Sequence, residues 1–142
     1  AIPPYNGPEI TSIVVNKAER RMYMMHGNVV MRAYDIALGS APVGHKQFEG
    51  DGKTPEGTYF INFRNPNSQY HLSLKVSYPN NADRAFADSQ GKSPGGDIFI
   101  HGTPEGIDPT TDWTAGCIAV TNAQIEEIWA MVKGPVPIFI YP

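Results

Sequence analysis

Residues 112–120 read Asp-Trp-Thr-Ala-Gly-Cys-Ile-Ala-Val and contain Cys117, the only cysteine of the 142-residue chain. A free cysteine is most often a small buried hydrophobe. Here Gly116 precedes the cysteine and permits a sharp turn, and His101 ends an apolar run sixteen residues upstream. A lone thiol together with a histidine at a strand end is typical of a cysteine retained for chemistry.

The chemistry that this pair supports is acyl transfer. The thiolate is the reactive form of cysteine, and a nearby imidazole can accept the thiol proton and later return it to a leaving amine. The backbone N–H groups of Ala115, Gly116 and Cys117 are predicted to converge on an acyl oxygen as an oxyanion hole. The residues therefore predict a Cys–His acyl enzyme, with Cys117 as the nucleophile and His101 as the general acid and base.

The composition excludes several other classes of protein. With 41% hydrophobic and 18% charged residues, the chain is expected to fold as one globular domain with a sizeable core. The net charge of −3 and the absence of a basic run argue against nucleic-acid binding. No apolar stretch approaches about 18 residues, so no membrane span is predicted.

The chain is predicted to be a single domain over residues 1–142, with an extended segment at 1–9. Its first residues, Ala-Ile-Pro-Pro, lack both an initiator methionine and the pattern of a secretory signal. We expect this end to be either a mature terminus left by cleavage or a boundary within a longer chain.

Most of the regular structure is predicted to be β-strand, because β-branched and alternating segments are separated by turn residues. Three strands joined by short turns, at 10–15, 21–25 and 29–38, predict an antiparallel meander. A long loop is predicted for 39–57, and its stretch 50–54 is predicted to be turn-rich and to lie on the surface. Further strands are predicted at 58–63, 70–76, 97–100 and 136–141.

One helix is strongly indicated near the C-terminus. Thr121 and Gln124 have the spacing of a capping box at its start, and Gly134-Pro135 is expected to stop it. Its predicted apolar stripe consists of Ile125, Ile128, Trp129 and Val132. A second, shorter helix is predicted at 81–90. The expected fold class is therefore mainly β with short helices, a β-rich α+β domain.

The sequence does not match either of two nucleotide-binding patterns, and nothing in it supports a metal site. The stretch at 50–54 lacks the first glycine of a phosphate-binding loop, and Pro55 disfavours the helix that such a loop opens. Pro55 also replaces the third glycine of a dinucleotide fingerprint. The four histidines lack close ligand spacing, so no metal and no cofactor are predicted. His26 and His45 are predicted to lie on the surface.

His71 alternates with Leu72 and Leu74 on its predicted strand, so its side chain faces away from the leucines. That face either lines a groove or meets solvent. The residues alone leave both readings open.

The motifs around the pair resemble a known family. His101-Gly102-Thr103 followed by Thr114-Ala115-Gly116-Cys117 is similar to the signature of the L,D-transpeptidase catalytic domain, also called the YkuD domain. Stretches 44–59 and 70–74 are similar to it too, so the resemblance runs from about Ile10 to the C-terminus. It implies a YkuD-type β-sandwich or barrel-like domain.

The resemblance also implies bacterial cell-wall chemistry. Members of this family attack the bond beside diaminopimelate in a peptidoglycan stem peptide and form a thioester on cysteine, which an amine or water then resolves. The Gly102 backbone carbonyl would orient His101. The substrate-binding residues implied are Tyr70, His71, Thr103 and Thr114.

The expected location is the periplasm or cell envelope, with any signal or anchor outside this chain. A role in cell-wall biogenesis or degradation, and in cell shape, follows from the same resemblance. The expected partners are peptidoglycan stem peptides and, as an alternative, a peptidoglycan-linked lipoprotein.

The chain departs from the family pattern at two positions. Ala115 occupies the position of a common histidine, and Ala119 occupies that of a common arginine. The run from Cys117 through Ile128 is closer to the YafK-like branch, in which an L,D-amidase that cleaves a protein from peptidoglycan is known. The choice between transpeptidase and hydrolase therefore stays open.

Two further alternatives belong to other classes. One is a non-catalytic cell-wall-binding module that keeps the fold, and the other is an intracellular Cys–His peptidase. The sequence also leaves open which basic residue binds a substrate carboxylate. The candidates are Arg32, Lys53, Arg64, Lys75 and Arg84.

Overall fold

The computed structural model describes residues 2–142, and Ala1 lies outside the described residues. It contains eight strands and two helices in the described range. Their bounds are β1 Ser12–Asn16, β2 Arg21–His26, β3 Val29–Asp35, β4 Gly57–Ser68, β5 His71–Val76, α1 Asn81–Ser89, β6 Phe99–His101, β7 Ile118–Ala119, α2 Asn122–Met131 and β8 Val136–Tyr141. Residues 2–9 contain neither helix nor strand.

The strands form one sheet in the order β3-β2-β1-β8-β4-β5-β6-β7. The predicted meander is confirmed, since β2 pairs antiparallel with both β1 and β3. Two pairs are parallel: β8 returns beside β1, and β7 lies beside β6. The second parallel pair matters most for function, because it brings the chain around Cys117 beside the strand that ends in His101.

The sheet curls so that its two ends meet. Just after β3, the Ala37 N–H donates to the Ala119 carbonyl at 2.9 Å, and the reverse bond is also 2.9 Å. These bonds join the β3 end of the sheet to β7, which lies at the other edge. The expectation of a β-rich, barrel-like domain with short helices is confirmed.

Several predicted strands have different bounds in the structure, and two of these differences have a clear physical reason. The third strand ends at Asp35, because the Ile36 N–H turns to the Arg20 carbonyl at 3.0 Å and the chain then crosses to β7. The strand predicted at 97–100 begins instead at Phe99. Asp97 has a φ of +55°, which lies in the left-handed region and outside the extended region of regular strand pairing.

Both helices begin with the side-chain caps that their sequences favour. In α2 the Thr121 hydroxyl accepts a hydrogen bond from the Gln124 backbone N–H at 3.2 Å. The Gln124 side-chain Oε1 accepts one from the Thr121 backbone N–H at 3.0 Å. This confirms the predicted capping box. In α1, Asn80 and Asp83 form the equivalent pair.

Helix α2 packs its apolar stripe into the sheet. Ile125, Ile128 and Val132 are buried in the core, as predicted. Trp129 is only half-buried. The Arg64 guanidinium lies over its ring, 4.1 Å from the ring centroid. The core beneath α2 comes mostly from inward-facing strand residues, including Ile13, Val15, Met22, Met24, Ile61, Leu74, Ile100 and Ile138.

Residues 39–57 contain no helix or extended strand before Gly57, as predicted, but the prediction that the stretch 50–54 lies on the surface is wrong for part of it. Thr54 is fully buried, and Lys17 reaches into the loop from the end of β1 with only 2% of its surface exposed. The Lys17 ammonium donates to the carbonyls of Gly44 and Thr54, each at 2.8 Å, and to the Glu56 carboxylate at 3.0 Å. Burial lowers the pKa of Lys17, and Glu56 opposes that shift. Since all three ammonium protons have acceptors, the buried charge is compensated.

His45, predicted on the surface, is half-buried in the same loop. Its Nδ1 accepts from the Glu56 N–H at 2.8 Å, and its Nε2 lies 3.0 Å from the Asp83 carboxylate at the start of α1. His45 therefore ties the loop to the helix. His26 is exposed, as predicted.

Replacing Lys17 by methionine should destabilise the protein by about 3–5 kcal/mol, the usual cost of removing one partner of a buried ion pair. Glu56 and two carbonyl oxygens would lose their donor. Urea unfolding measures the change. The matched control is Lys17→Met combined with Glu56→Gln, which should recover part of the loss. A loss below about 1 kcal/mol for Lys17→Met would contradict the anchoring role.

Neither helix in residues 2–142 has the length and apolar character needed to span a membrane. Within the same residues, no group of three or more His, Cys, Asp and Glu side chains is arranged to hold a metal ion. The assignment of residues 1–142 to a single domain stays a prediction.

Candidate active site

His101 is the last residue of β6, and its side chain is packed inside the curl of the sheet with 2% exposure. The backbone on both sides of it is held. Its carbonyl accepts from the Val120 N–H at 3.0 Å, and the next N–H, that of Gly102, donates to the Tyr70 carbonyl at 2.9 Å. The imidazole therefore projects from a rigid strand end.

One ring nitrogen of His101 has a fixed role. Nδ1 lies 2.7 Å from the Gly102 carbonyl oxygen. Because a carbonyl only accepts, Nδ1 carries the proton and Nε2 keeps its lone pair in the neutral ring. Burial lowers the pKa of His101, and the Gly102 hydrogen bond opposes that shift. The imidazole is thus held neutral, with Nε2 available as a base.

Two aromatic rings enclose the imidazole. Tyr70 stacks on it with centroids 4.3 Å apart and an interplanar angle of 21°, and Trp113 lies at 5.5 Å from both rings. Trp113 was missed by the sequence analysis, although it lies in the same stretch as Cys117. Its position four residues before the cysteine is the only signal that the sequence offers. The two rings restrict rotation of His101 and exclude water from its faces.

The thiol of Cys117 rests against β6. Its Sγ lies 3.3 Å from the Asp97 carbonyl oxygen, to which the S–H donates, and 3.4 Å from the Phe99 N–H, from which it accepts. Burial raises the pKa of Cys117, and the Phe99 N–H opposes that shift. In residues 2–142 no hydrogen bond joins the thiol to His101. The resting pair is therefore a neutral thiol beside a neutral imidazole, and the S–H must turn from Asp97 for proton transfer.

The loop before Cys117 is fixed by its own side chains. Asp112 accepts two hydrogen bonds from the Arg20 guanidinium, at 3.0 and 2.7 Å, and one from the Leu38 N–H at 3.0 Å. The Thr114 hydroxyl donates to the Cys117 carbonyl at 2.8 Å. These contacts hold both ends of the turn that presents the nucleophile.

Gly116 is required by the shape of that turn. Its φ is +134°, and a Cβ there would lie 2.6 Å from the Lys53 carbonyl oxygen. Its own carbonyl accepts from the buried Thr54 hydroxyl at 2.7 Å. The loop at 39–57 thus supports the turn before Cys117, which is why part of the loop is buried.

Replacing Gly116 by alanine should cost about 1–3 kcal/mol of stability and lower turnover by at least about tenfold, because the strained turn must shift away from Lys53. Thermal unfolding and activity on the same preparation measure both effects. Gly134→Ala is the matched control, since a Cβ there meets no atom within 4 Å. Equal behaviour of the two variants would show that the turn is not critical.

The three predicted oxyanion-hole donors differ in this structure. The Gly116 N–H donates to the Thr114 hydroxyl at 3.1 Å, so it is already engaged. The Ala115 and Cys117 N–H groups have no hydrogen-bond partner within residues 2–142. The part of the prediction that depends on Gly116 requires that its bond to Thr114 break. The role of all three groups stays a prediction.

Two cavities flank the thiol. The first, of about 480 Å³, contains His101 and Cys117, with Tyr70, Phe99 and Asp97 also in its wall. The rest of its wall is amide and hydroxyl side chains: Asn65, Asn67, Ser68, Gln69 and Ser73. The second, of about 310 Å³, is also lined by Cys117. The rest of its wall is Lys46, Glu49, Gly50, Gly95, Gly96, Asp97, Ile98 and Ala115. Cys117 and Asp97 therefore line both cavities.

Of the predicted substrate-binding residues, only Tyr70 lines these cavities. His71 pairs through Nε2 with the Glu126 carboxylate at 2.7 Å. Thr103 donates its hydroxyl to the Val120 carbonyl at 2.7 Å, and Thr114 is buried. Contact of these three residues with substrate stays a prediction, and the structure gives Thr103 and Thr114 internal hydrogen bonds.

Ala119 stands where the family commonly has an arginine, and neither of the two cavities extends to it. Ala119 is 2% exposed, lies in β7 and lines neither cavity. The five basic residues considered as carboxylate binders also lie outside both cavity walls. Arg64 instead lies over Trp129 and donates to the Trp129 carbonyl at 3.2 Å, at the C-terminal end of α2.

This site and fold define a class of strand-rich domains that place a histidine at the end of one strand and a cysteine directly before the adjacent parallel strand. The family model of the L,D-transpeptidase catalytic domain, YkuD, matches residues 10–140. The chain belongs to the L,D-transpeptidase catalytic domain family, and the resemblance inferred from the sequence is confirmed.

Individual relatives agree with that assignment. "Putative L,D-transpeptidase YafK" from Escherichia coli (strain K12) is 34% identical over 122 residues, which are 80% of this chain and 44% of that protein. The crystal structure of the helical cell shape determining protein Pgp2 from Campylobacter jejuni has a TM-score of 0.70 and 27% identity, covering 96% of this chain and 49% of that one. This chain thus spans less than half the length of either relative.

A more distant neighbour supports the fold alone. The L,D-transpeptidase from Xylanimonas cellulosilytica has a TM-score of 0.61 at 15% identity, with 98% of this chain and 64% of that chain covered. The curled sheet is therefore shared by L,D-transpeptidases whose sequences have diverged widely.

Proposed function

We propose that this domain is a peptidoglycan-acting cysteine acyl-transferase that forms a thioester between Cys117 and a diaminopimelate-containing stem peptide. The observation that carries the proposal is the fixed tautomer of His101. Its Nδ1 is committed to the Gly102 carbonyl, which leaves Nε2 without a protein partner within residues 2–142, and His101 lines the same cavity as Cys117. An imidazole base and a thiol that share one cavity are the two groups that acyl transfer needs.

The first half of the reaction forms the thioester. His101 Nε2 takes the proton of the Cys117 thiol as the sulfur leaves the Asp97 carbonyl and attacks the substrate carbonyl carbon. The free N–H groups of Ala115 and Cys117 are suited to stabilise the resulting oxyanion. The C–N bond then breaks, and the imidazolium returns the proton to the departing amine.

The second half removes the acyl group from the sulfur. An acceptor amine attacks the thioester carbonyl, His101 takes the proton that the amine loses, and the thiol leaves with a proton from the imidazolium. The product is a new amide, as in transpeptidation. If water attacks instead, the product is a free carboxylate, and the domain acts as an L,D-amidase or hydrolase on a peptide or a peptidoglycan-linked lipoprotein.

The mass of the protein after exposure to a muropeptide carrying a tetrapeptide stem tests this proposal. We expect an adduct on Cys117 equal in mass to the muropeptide less its terminal amino acid. Adding an amine acceptor should yield a cross-linked product, whereas a product of the acyl mass plus water would assign hydrolysis. No adduct and no product from any stem would instead favour a non-catalytic wall-binding module.

The setting of this activity is proposed to be the periplasm or cell envelope, where peptidoglycan lies. The similarity to Pgp2, described as a helical cell shape determining protein, supports a link to cell shape. Deletion of the coding sequence followed by microscopy and muropeptide analysis tests that link. Unchanged cell shape together with unchanged muropeptides would contradict it.

A further inference from the structure

The groups around the nucleophile carry an uneven distribution of charge. Among the described residues of the two cavity walls, the only cation is Lys46, since His101 is neutral. The Lys46 ammonium is already paired, with the Asp51 carboxylate at 3.0 Å and the Phe48 carbonyl at 3.0 Å. The carboxylates of Asp97 and Glu49 have no hydrogen bond or ion pair within residues 2–142. The uncompensated charge beside the sulfur is therefore negative.

Asp97 holds the central position in this arrangement. It is the only acidic residue that lines both cavities, and its own backbone carbonyl accepts from the Cys117 thiol at 3.3 Å. Its φ of +55° places it in the left-handed region, two residues before β6. The side chain is exposed and has no hydrogen bond or ion pair within residues 2–142. A carboxylate near the nucleophile and without a protein partner is suited to a cationic group of the substrate.

We propose that Asp97 is a specificity-determining residue that binds an ammonium group of the peptidoglycan peptide beside the scissile bond or the thioester. The inference rests on the proposed function. It replaces the expectation that a basic residue near the nucleophile binds a substrate carboxylate, because neither wall offers an unpaired cation for that task.

The ammonium has two possible sources with the same chemistry. Diaminopimelate in a donor stem carries a free amine on its side chain, and an acceptor stem brings its own amine to the thioester. Because Asp97 faces both cavities, it lies within the reach of either approach. Glu49 lines only the second cavity, so it is the weaker candidate for a group on the donor.

The test compares a tetrapeptide stem with a free diaminopimelate side-chain amine against the same stem acetylated there. We expect wild-type protein to prefer the free amine by about tenfold in kcat/KM, which is the scale of one charge-assisted contact. Asp97→Asn should reduce that preference to about twofold or less. Asparagine tolerates the left-handed backbone nearly as well as aspartate, so the variant keeps the loop geometry.

Asp88→Asn is the matched control, since it removes the same charge from the exposed side of α1 and should keep the wild-type preference. Single-turnover acylation and aminolysis of the preformed thioester separate the two sources. If Asp97→Asn loses the preference for the free amine in single-turnover acylation, the group that Asp97 binds is the ammonium of the donor stem. A rise of about tenfold in the acceptor concentration for half-maximal aminolysis, with hydrolysis unchanged, assigns the acceptor ammonium.

Several outcomes would overturn the inference. One is a wild-type protein that acylates both stems equally, combined with an Asp97→Asn variant that keeps the wild-type dependence of aminolysis on acceptor concentration. Another is an Asp97→Asn variant that keeps the full preference and the acceptor dependence. In both cases a normal adduct on Cys117 would leave the proposed function intact. Absence of any adduct on the wild-type protein would instead overturn the proposed function, and this inference with it.

Discussion

Replacing Cys117 by alanine is expected to abolish the covalent adduct and to lower turnover by at least about a thousandfold. The thiol is the only sulfur nucleophile in the chain, and the proposed reaction passes through a bond to it. Cys117→Ser is the sharper variant, because it keeps a donor toward the Asp97 carbonyl. The serine hydroxyl ionises far less readily than a thiol, and its neighbouring base is neutral and only moderately strong, so we expect nearly the same loss.

Intact-protein mass and product analysis on the same samples measure this prediction. Both variants should unfold within about 1 kcal/mol of the wild-type protein, because neither changes the core greatly. Turnover by Cys117→Ala within about tenfold of the wild-type rate would contradict nucleophilic catalysis by this residue. Full activity of that variant in a wall-binding assay, with no turnover by either protein, would favour a binding module.

Replacing His101 by asparagine is expected to lower the rate of thioester formation by about a hundredfold to ten-thousandfold, the usual contribution of a positioned acid and base. The asparagine side-chain amide can still donate to the Gly102 carbonyl, as Nδ1 does now. It offers no group that can take the thiol proton. The variant thus removes the base while keeping the hydrogen bond that orients the residue.

The dependence of kcat/KM on pH distinguishes a neutral thiol and imidazole from a thiolate–imidazolium pair at Cys117 and His101. Burial lowers the pKa of His101 and raises the pKa of Cys117, so a neutral imidazole and a neutral thiol coexist between those two values. The imidazole acts as a base only above its own pKa. The acid limb of kcat/KM should therefore lie below about 6.5, the ordinary histidine value. The alkaline limb should lie above the ordinary range of a thiol.

Measuring kcat/KM from pH 4 to about pH 10 checks both limbs, and the acid limb should disappear in His101→Asn. An enzyme with a resting thiolate–imidazolium pair would behave differently. Its thiol would react with a small alkylating agent at pH values well below 6.5, as low-pKa cysteines do. Rapid alkylation of Cys117 in acid would contradict the neutral pair that the structure supports.

The local patterns of the sequence predicted much of the fold. The meander, the C-terminal strand and the capping box at Thr121 follow from alternation and from side-chain caps within a few residues. The strand predicted at 97–100 was misplaced, because its start depends on the left-handed backbone of Asp97. The short strand β7 was missed, since two residues carry too weak a pattern and its partners, Ile100 and Ala37, are distant in the chain.

For the candidate site, the sequence by itself predicted the pair of Cys117 and His101 and the family. The spacing of the two residues and the turn at Gly116 are properties of the chain, and the family model matches the stretch that contains them. Only the tertiary structure decided the surroundings of the pair. The enclosure of His101, the buried support beneath Gly116, the neutral thiol and the unpaired Asp97 carboxylate arise from contacts between distant segments. Burial and pairing of charge depend on such contacts, and no local sequence pattern encodes them.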